Sequence, residues 1–396
     1  MSISKQTKAI HCTFPDADAY GSLGMPVYYT AAYEFADADT MADTFCRRIN
    51  KPDYSRVMNP TVTFFEKKIK KITEVRNVIA LTSGMAAISN TLIAVAKAGK
   101  NIVTSRHMFG NTYSFITQTM KRWGVEARCI DLTDINAVKH AVDENSCCIF
   151  LEILTNPQIE VVNLRELSLI ATSYQIPLIA DTTAIPFTQF SAKDLGVDIE
   201  ILSSTKYLSG GGTSIGGIVI DYGTSPGIGN RIKNELLFNL RAYMSPQVSY
   251  MQSLGLETLD ARYRVQNENT RKVATALRKH PNVVKVNYVG FEDNPFHKLA
   301  AEQFGDTYGA MFTIDLANKG ACFCFLNHLQ LVRRATNLFD NKSLAIHPAS
   351  TIFGNYSDAD RAAMDVYNTT IRLSIGLENA DDVIADLTQA LNSIDK

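Results

Sequence analysis

Two residues near the middle of the chain have types and neighbours that suggest chemistry. Asp181 ends the apolar run Leu178-Ile179-Ala180, and Lys206 follows Ser203-Ser204-Thr205 after the run Ile199–Leu202, which is broken only by Glu200. A lysine amine condenses with an aldehyde, a carboxylate holds a pyridine nitrogen protonated so that the ring withdraws electrons, and hydroxyls beside the lysine bind phosphate. Those are the requirements of a Schiff base to pyridoxal phosphate. With both runs as strands, Asp181 and Lys206 fall at strand ends across one strand–helix–strand unit, where open α/β sheets hold ligands. Gly210-Gly211-Gly212 and Gly216-Gly217 add backbone freedom close to the lysine. The plainer reading stands beside this one: Asp181 as a helix cap and Lys206 as a solvated surface lysine.

Weaker candidates lie on either side. In Tyr54-Ser55-Arg56, two side chains two residues apart in an extended chain point the same way and can grip one phosphate, although a polar loop explains them equally. Thr82-Ser83-Gly84-Met85 turns into a helix that begins with small residues, and such a start offers backbone N–H groups and a favourable dipole to a phosphate. Phe109, beside Gly110 in the loop SRHMFGNTYSF, can lie over a planar cofactor or simply join the core. Late in the chain stand Arg333-Arg334-Ala335-Thr336-Asn337 and Arg372. An arginine inside a strand suggests a carboxylate partner, the alternative being a surface arginine on an edge strand.

The elements that must position these residues follow from periodicity. Phe64, Phe65, Ile69 and Ile72 recur at helical spacing, and Val78–Leu81, Asn101–Thr104, Cys129–Ile130 and Cys148–Leu151 read as short strands. Helices over 135–142 and 164–174 alternate with them, and Glu152–Pro157 reads as a polar loop. Strand–helix alternation over 78–220 predicts a mostly parallel sheet covered by helices. Residues 1–60 read as an extended section with one helical piece, Ala38–Arg48, lying along its own domain or reaching a neighbouring subunit; 61–245 as the cofactor-binding domain; and 246–396 as a smaller α+β domain. In this last part Pro246 interrupts a helical stretch, 283–286, 310–314 and 371–374 read as strands, and 321–329 and 380–394 as helices.

The 396 residues, 46% apolar and 20% charged, suffice for a sizeable core, and a net charge of −1 gives no electrostatic reason to expect nucleic acid or an acidic membrane as partner. No apolar span is long enough for a bilayer and MSISKQTKAIHC lacks the apolar core of a signal peptide, so a cytoplasmic location is expected. The seven cysteines contain no C-x-x-C pair and the seven histidines no metal-binding spacing; no metal or disulfide framework is expected, and most cysteines read as reduced core residues.

Taken together, YSRVMNPT, TSGMAA, FGNT, EILTNP, ADTT, SSTKYLSGGG, SLAIHPAS and IRLSIGLEN occur in the order found in the cystathionine γ-synthase-like family, the Cys/Met-metabolism branch of fold type I pyridoxal phosphate enzymes, and the likeness runs over residues 20–392. Within it, Asn337 and Lys342 in ATNLFDNKSLAIHPAS resemble the O-acetylhomoserine sulfhydrylase group. The resemblance implies the aspartate aminotransferase-like transferase fold, with Lys206 as Schiff-base lysine and mobile base and Asp181 on the pyridine nitrogen. It puts Ser83, Gly84, Met85, Ser203 and Thr205 at the phosphate, Tyr54 and Arg56 there from a neighbouring subunit, and Phe109 over the ring. It further implies Asn156 and Arg372 on the substrate carboxylate with Asn337 close by, and a homotetramer built as a dimer of dimers.

The chain departs from that pattern at Phe109, where tyrosine is usual, at Asn111 and Phe339, where glycine is usual, and at Ile352-Phe353 in place of Thr-His. The activity implied is γ-replacement on an O-acylated homoserine by sulfide, a thiol or a carrier-bound sulfur. A γ-lyase that releases 2-oxobutanoate and a non-catalytic binding protein of the same fold are the alternatives.

Overall fold

The computed structural model describes residues 3–12, 20–225, 227–240 and 242–394. Contacts divide the chain into two units, Met1–Val95 with Asp198–Glu257 and Ala96–Val197 with Thr258–Lys396. The strands up to residue 221 are β1 (Asn77–Leu81), β2 (Asn101–Ser105), β3 (Glu126–Ile130), β4 (Ser146–Glu152), β5 (Leu178–Asp181), β6 (Ile199–Leu202) and β7 (Gly217–Asp221).

In the first unit β7 runs antiparallel to both β1 and β6, its Val219 opposite Ile79 on one side and Ile201 on the other. All of β7 is buried, which is why it reads as an apolar run without alternation. The helix Pro60–Thr73 shows how local sequence sets an element. Asn59 Oδ1 accepts the Thr61 amide at 3.0 Å, Pro60 occupies the first turn where its missing N–H costs nothing, and Glu74 ends the helix at φ 56°. Its apolar stripe, Phe64, Phe65, Ile69 and Ile72, is buried as its spacing requires.

In the second unit β3, β2, β4 and β5 pair in parallel in that order, Ile102 facing Ala127 and Cys148, and Leu151 facing Ala180. The strand–helix alternation thus produces parallel strands in this unit, whereas the described pairings of β7 in the first unit are antiparallel. The same unit holds a second sheet of β8 (Lys285–Asn287), β9 (Met311–Asp315), β10 (Arg333–Arg334), β11 (Leu344–Ile346) and β12 (Thr370–Ser374), in the order β10-β11-β12-β9-β8. Helices Leu259–Leu277 and Ala380–Asn392 pack against each other beside it.

Several expectations need correction. The opening section contains a helix, Lys5–Ile10, capped by Ser4. Tyr54–Val57 is a turn closed by the Val57 amide on Tyr54 O at 2.8 Å, so the chain there is not extended. Glu152 is the last residue of β4, not the first of a loop. The interruption expected at Pro246 is present: helical structure ends at Leu240, and Pro246 opens the next helix, Pro246–Glu257, at a position where proline is tolerated. Of the cysteines only Cys148 and Cys322 are buried, and Cys46 is exposed; all seven are free thiols. Among the described residues no helix is long and apolar enough to cross a membrane, and no group of His, Cys, Asp and Glu is arranged to hold a metal ion.

Candidate active site

In the first unit, β6 ends at Leu202 and the chain makes a tight turn that fixes the Lys206 backbone from both sides. The Lys206 amide donates to Ser203 O at 3.2 Å, and its carbonyl accepts from the Ser209 hydroxyl at 3.1 Å. Gly210, Gly211 and Gly212 all have positive φ, so the conformational freedom expected of that run is used. Thr205 is locked to Gly216: its hydroxyl donates to Gly216 O at 3.2 Å and accepts from the Gly216 amide at 3.0 Å.

This turn packs on the start of the helix Gly84–Val95. Ser83 caps that helix through Oγ, which accepts the Ala86 amide at 3.0 Å, and Gly84 and Met85 form its first turn, where backbone N–H groups point out of the helix start. Two glycines make the approach possible. A Cβ on Gly84 would meet Ser203 Cβ at 2.7 Å, and one on Gly217 would lie 2.0 Å from Ser83 O. The buried Ser204 hydroxyl has no hydrogen-bond partner. A helix N-terminus, two hydroxyl residues and a lysine held together by glycine contacts fit the phosphate and aldehyde ends of pyridoxal phosphate.

Tyr54 and Arg56 are also together in this unit. The Arg56 guanidinium stands 5.2 Å from the Tyr54 ring centroid and donates to Phe238 O at 2.9 Å, with the tyrosine 44% exposed. The pairing inferred from an extended chain is therefore achieved through a turn and a cation–π contact.

The second unit gathers the other candidates in two groups. Asp181, at the end of β5, is in register with Glu152 at the end of β4, and its Oδ1 accepts the Thr183 amide at 2.9 Å. Glu152 Oε1 in turn accepts the Phe109 amide at 2.7 Å. Burial, and then the charge of Asp181, push the Glu152 carboxyl well above the ordinary range. In the second group, Arg372 is 1% exposed in β12, paired on both sides by β11 and β9, which overturns the edge-strand alternative. It donates to Asn156 Oδ1 at 3.2 Å, Thr336 O at 3.2 Å and Asn337 O at 3.0 Å. Burial lowers its pKa to about 10, so it stays cationic at neutral pH. Its Nε is buried without a partner, an unmet donor suited to a carboxylate.

Phe339, in the place of a usual glycine, has φ 57° and is 1% exposed, its amide donating to Ser374 Oγ at 2.7 Å. Arg333 and Arg334 lie exposed on the edge strand β10.

Glu152 is the residue the sequence reading passed over. The signal was there: the apolar run Cys148–Leu151 ends in an acid just as Leu178–Ala180 does. His107 is a second omission. Buried, it is held by Glu160 at Nδ1, 2.5 Å, and by Asp365 at Nε2, 2.9 Å, partners that no local motif announces.

Residues 6–392 match the family described as Cys/Met metabolism PLP-dependent enzyme. The chain is 38% identical over 381 residues to an L-methionine gamma-lyase of Fusobacterium nucleatum subsp. nucleatum, with 95% of each sequence covered. It is 30% identical over 418 residues to an O-acetyl-L-homoserine sulfhydrylase of Corynebacterium glutamicum, covering 96% of this chain and 95% of that one. The crystal structure of a protein from Campylobacter jejuni assigned as an O-acetylhomoserine (thiol)-lyase superposes with a TM-score of 0.94 at 32% identity, over 98% of this chain and 100% of the other, and carries N'-pyridoxyl-lysine-5'-monophosphate. The fold is accordingly the α/β fold of this group of PLP-dependent transferases, with a smaller C-terminal α+β part.

Proposed function

The chain belongs to the Cys/Met metabolism family of PLP-dependent enzymes, and from that premise we propose that it catalyses γ-replacement on O-acetyl-L-homoserine. Sulfide, a thiol or a carrier-bound sulfur takes the place of acetate on Cγ, giving homocysteine, or methionine from methanethiol. The observation that carries this reading is Phe109. Acetate is a weak base and departs without a proton, whereas the thiolate leaving group of methionine or cystathionine is a strong base that calls for a proton donor. A phenylalanine whose backbone is anchored by Glu152 can cover a ring but supplies no such proton.

Pyridoxal phosphate held at Lys206 supplies the electron sink for negative charge beside the amino group of the substrate. In this reading the amides of Gly84 and Met85, with Ser83, Ser203 and Thr205, bind the phosphate, and Tyr54 and Arg56 reach it from a neighbouring subunit of a homotetramer. Asp181 keeps the pyridine nitrogen protonated. Arg372 and Asn156, with Asn337 alongside, orient the substrate carboxylate. Lys206 Nζ removes the Cα proton and then serves Cβ, a task suited to an amine on a long, flexible side chain. The enzyme works in the cytoplasm on small amino acids.

A second reading is γ-elimination, favoured by the 38% identity to a methionine gamma-lyase. One experiment separates the two. The holoenzyme is mixed with O-acetyl-L-homoserine with and without sulfide, and with L-methionine, while homocysteine and 2-oxobutanoate are assayed. Homocysteine that requires sulfide, with little keto acid, supports replacement. Keto acid from either substrate regardless of sulfide overturns it in favour of elimination.

A further inference from the structure

Glu152 has no part in the roles assigned above, yet it touches three residues that do. It is 8% exposed and ends β4 in register with Asp181. Registered residues of parallel neighbours project to the same side of a sheet, so the two carboxyl groups share one face. Oε1 accepts the Phe109 amide at 2.7 Å, and the Asn156 amide donates to the same carboxyl group. One side chain thus ties together the aromatic loop, the asparagine beside Arg372 and the acid expected at the pyridine nitrogen.

Two adjacent carboxylates cannot both ionise cheaply away from water, and one of them keeps a proton. Asp181 has to be the charged member if it is to hold a pyridinium. The charged residues that precede Phe109 or bond to Asn156 have partners of their own: Arg106 pairs with Asp131 and Asp365, His107 with Glu160 and Asp365, and Arg372 bonds to Asn156. Asp181 is the charge that acts on Glu152.

We propose that Glu152 is a positioning residue that works in its protonated form: it fixes Phe109 and Asn156 through their amides and leaves Asp181 as the single negative charge of the pair. Deprotonation at high pH puts a second anion beside Asp181, and the repulsion between the two carboxylates displaces Glu152 from the amides it holds. This inference rests on the assignment of Asp181 to the pyridine nitrogen, not on the choice between replacement and elimination.

The test compares wild-type holoenzyme with Glu152→Gln, which keeps a neutral acceptor for both amides, and Glu152→Leu, which keeps neither. A carboxyl raised from 4.5 to about 8 in the native state makes the wild type lose stability as pH rises through that interval, with no further loss above it, whereas Gln has no such dependence. The melting temperature of Glu152→Gln should therefore gain on wild type from about pH 5 to about pH 8 and then run parallel. In parallel, kcat/KM of the wild type should fall above about pH 8, Glu152→Gln should lack that limb, and Glu152→Leu should lose roughly tenfold or more at every pH. A constant melting-temperature gap from pH 5 to 9, or an unchanged alkaline limb in Glu152→Gln, overturns the proposal. If neither variant folds, infrared titration of wild type labelled at glutamate decides: a protonated carboxyl surviving above pH 6 supports it, and its absence overturns it. The melting-temperature and infrared readouts hold whichever substrate the enzyme takes.

Discussion

Arg372 and Asn156, separated by 216 residues, are joined by a 3.2 Å hydrogen bond from Nη1 to Oδ1, inside the unit that also buries the arginine. The fork is oriented by that bond and by the Thr336 and Asn337 carbonyls, which leaves Nε as the unmet donor. Arg372→Lys keeps the charge but cannot span these partners. Loss of a charge-assisted contact of about 1.5–3 kcal/mol should raise KM for the amino acid roughly 10- to 150-fold while the cofactor absorbance is retained. Because the native guanidinium titrates at about 10, KM of the wild type should stay flat to about pH 9. Loss of the cofactor with KM unchanged would show that this arginine has been given the wrong task.

Gly84→Ala tests the phosphate cradle. The added methyl meets Ser203 Cβ at 2.7 Å and Oγ at 2.9 Å, contacts that backbone has to move to relieve. The variant should release pyridoxal phosphate on gel filtration and bind it at least tenfold more weakly. An unchanged dissociation constant would mean that the helix start does not touch the phosphate. Alanine is otherwise the better helix former, so any stability lost reflects the contact and not propensity.

How much of this was legible in the sequence depends on whether the cause is local. The runs at Leu178–Ala180 and Ile199–Leu202 are buried strands, and such strands announce themselves as apolar stretches, the second broken only by Glu200. Lys206 stood out because its hydroxyls and glycines are its immediate neighbours. β10 and β11 span only two and three residues and exist because β12 pairs with β11, so nothing local marks them. Tyr54–Val57 carries no glycine, and its turn follows from hydrogen bonds of the folded chain, the Val57 and Met58 amides on Tyr54 O and the Ser55 amide on Ala31 O. Arg372 reads as a strand arginine, but its burial depends on partners at 156, 336 and 337. Glu152 matters through Asp181 in the next strand, a proximity that register creates.

The loop carrying Phe109 has a second anchor. Tyr356 donates its hydroxyl to Gly110 O at 2.8 Å, its ring packs edge-on against Tyr113, and a Cβ on Gly110 would stand 3.2 Å from Ile352 O. Tyr356→Phe removes one hydrogen bond, worth about 0.5–1.5 kcal/mol. With the Glu152 anchor intact, kcat/KM should fall by roughly 2- to 10-fold while the melting temperature moves by about 2 °C or less. A large stability loss without any change in kinetics would make Tyr356 a packing residue with no bearing on the loop.

Asp386 governs stability at low pH. On the helix Ala380–Asn392 and 7% exposed, it accepts the amides of Gln330, Leu331 and Val332 at 2.8–2.9 Å, turning the chain that leads into β10. Burial alone would raise its pKa, but these amides and the Gln389 side chain outweigh it and hold the carboxyl below 3.8. A depressed carboxyl stabilises the native state fully above its unfolded value and loses that contribution as pH falls through the native one. Asp386→Asn replaces one acceptor oxygen with a donor facing an amide. It should lower the melting temperature at pH 7 by on the order of 5 °C. That gap should begin to close as both proteins are taken below about pH 3.8 and be gone once the pH has fallen through the lower native value, where the wild-type carboxylate itself acquires a proton. A gap that persists unchanged into acid would assign the loss to packing, and the three amides would then owe nothing to the charge.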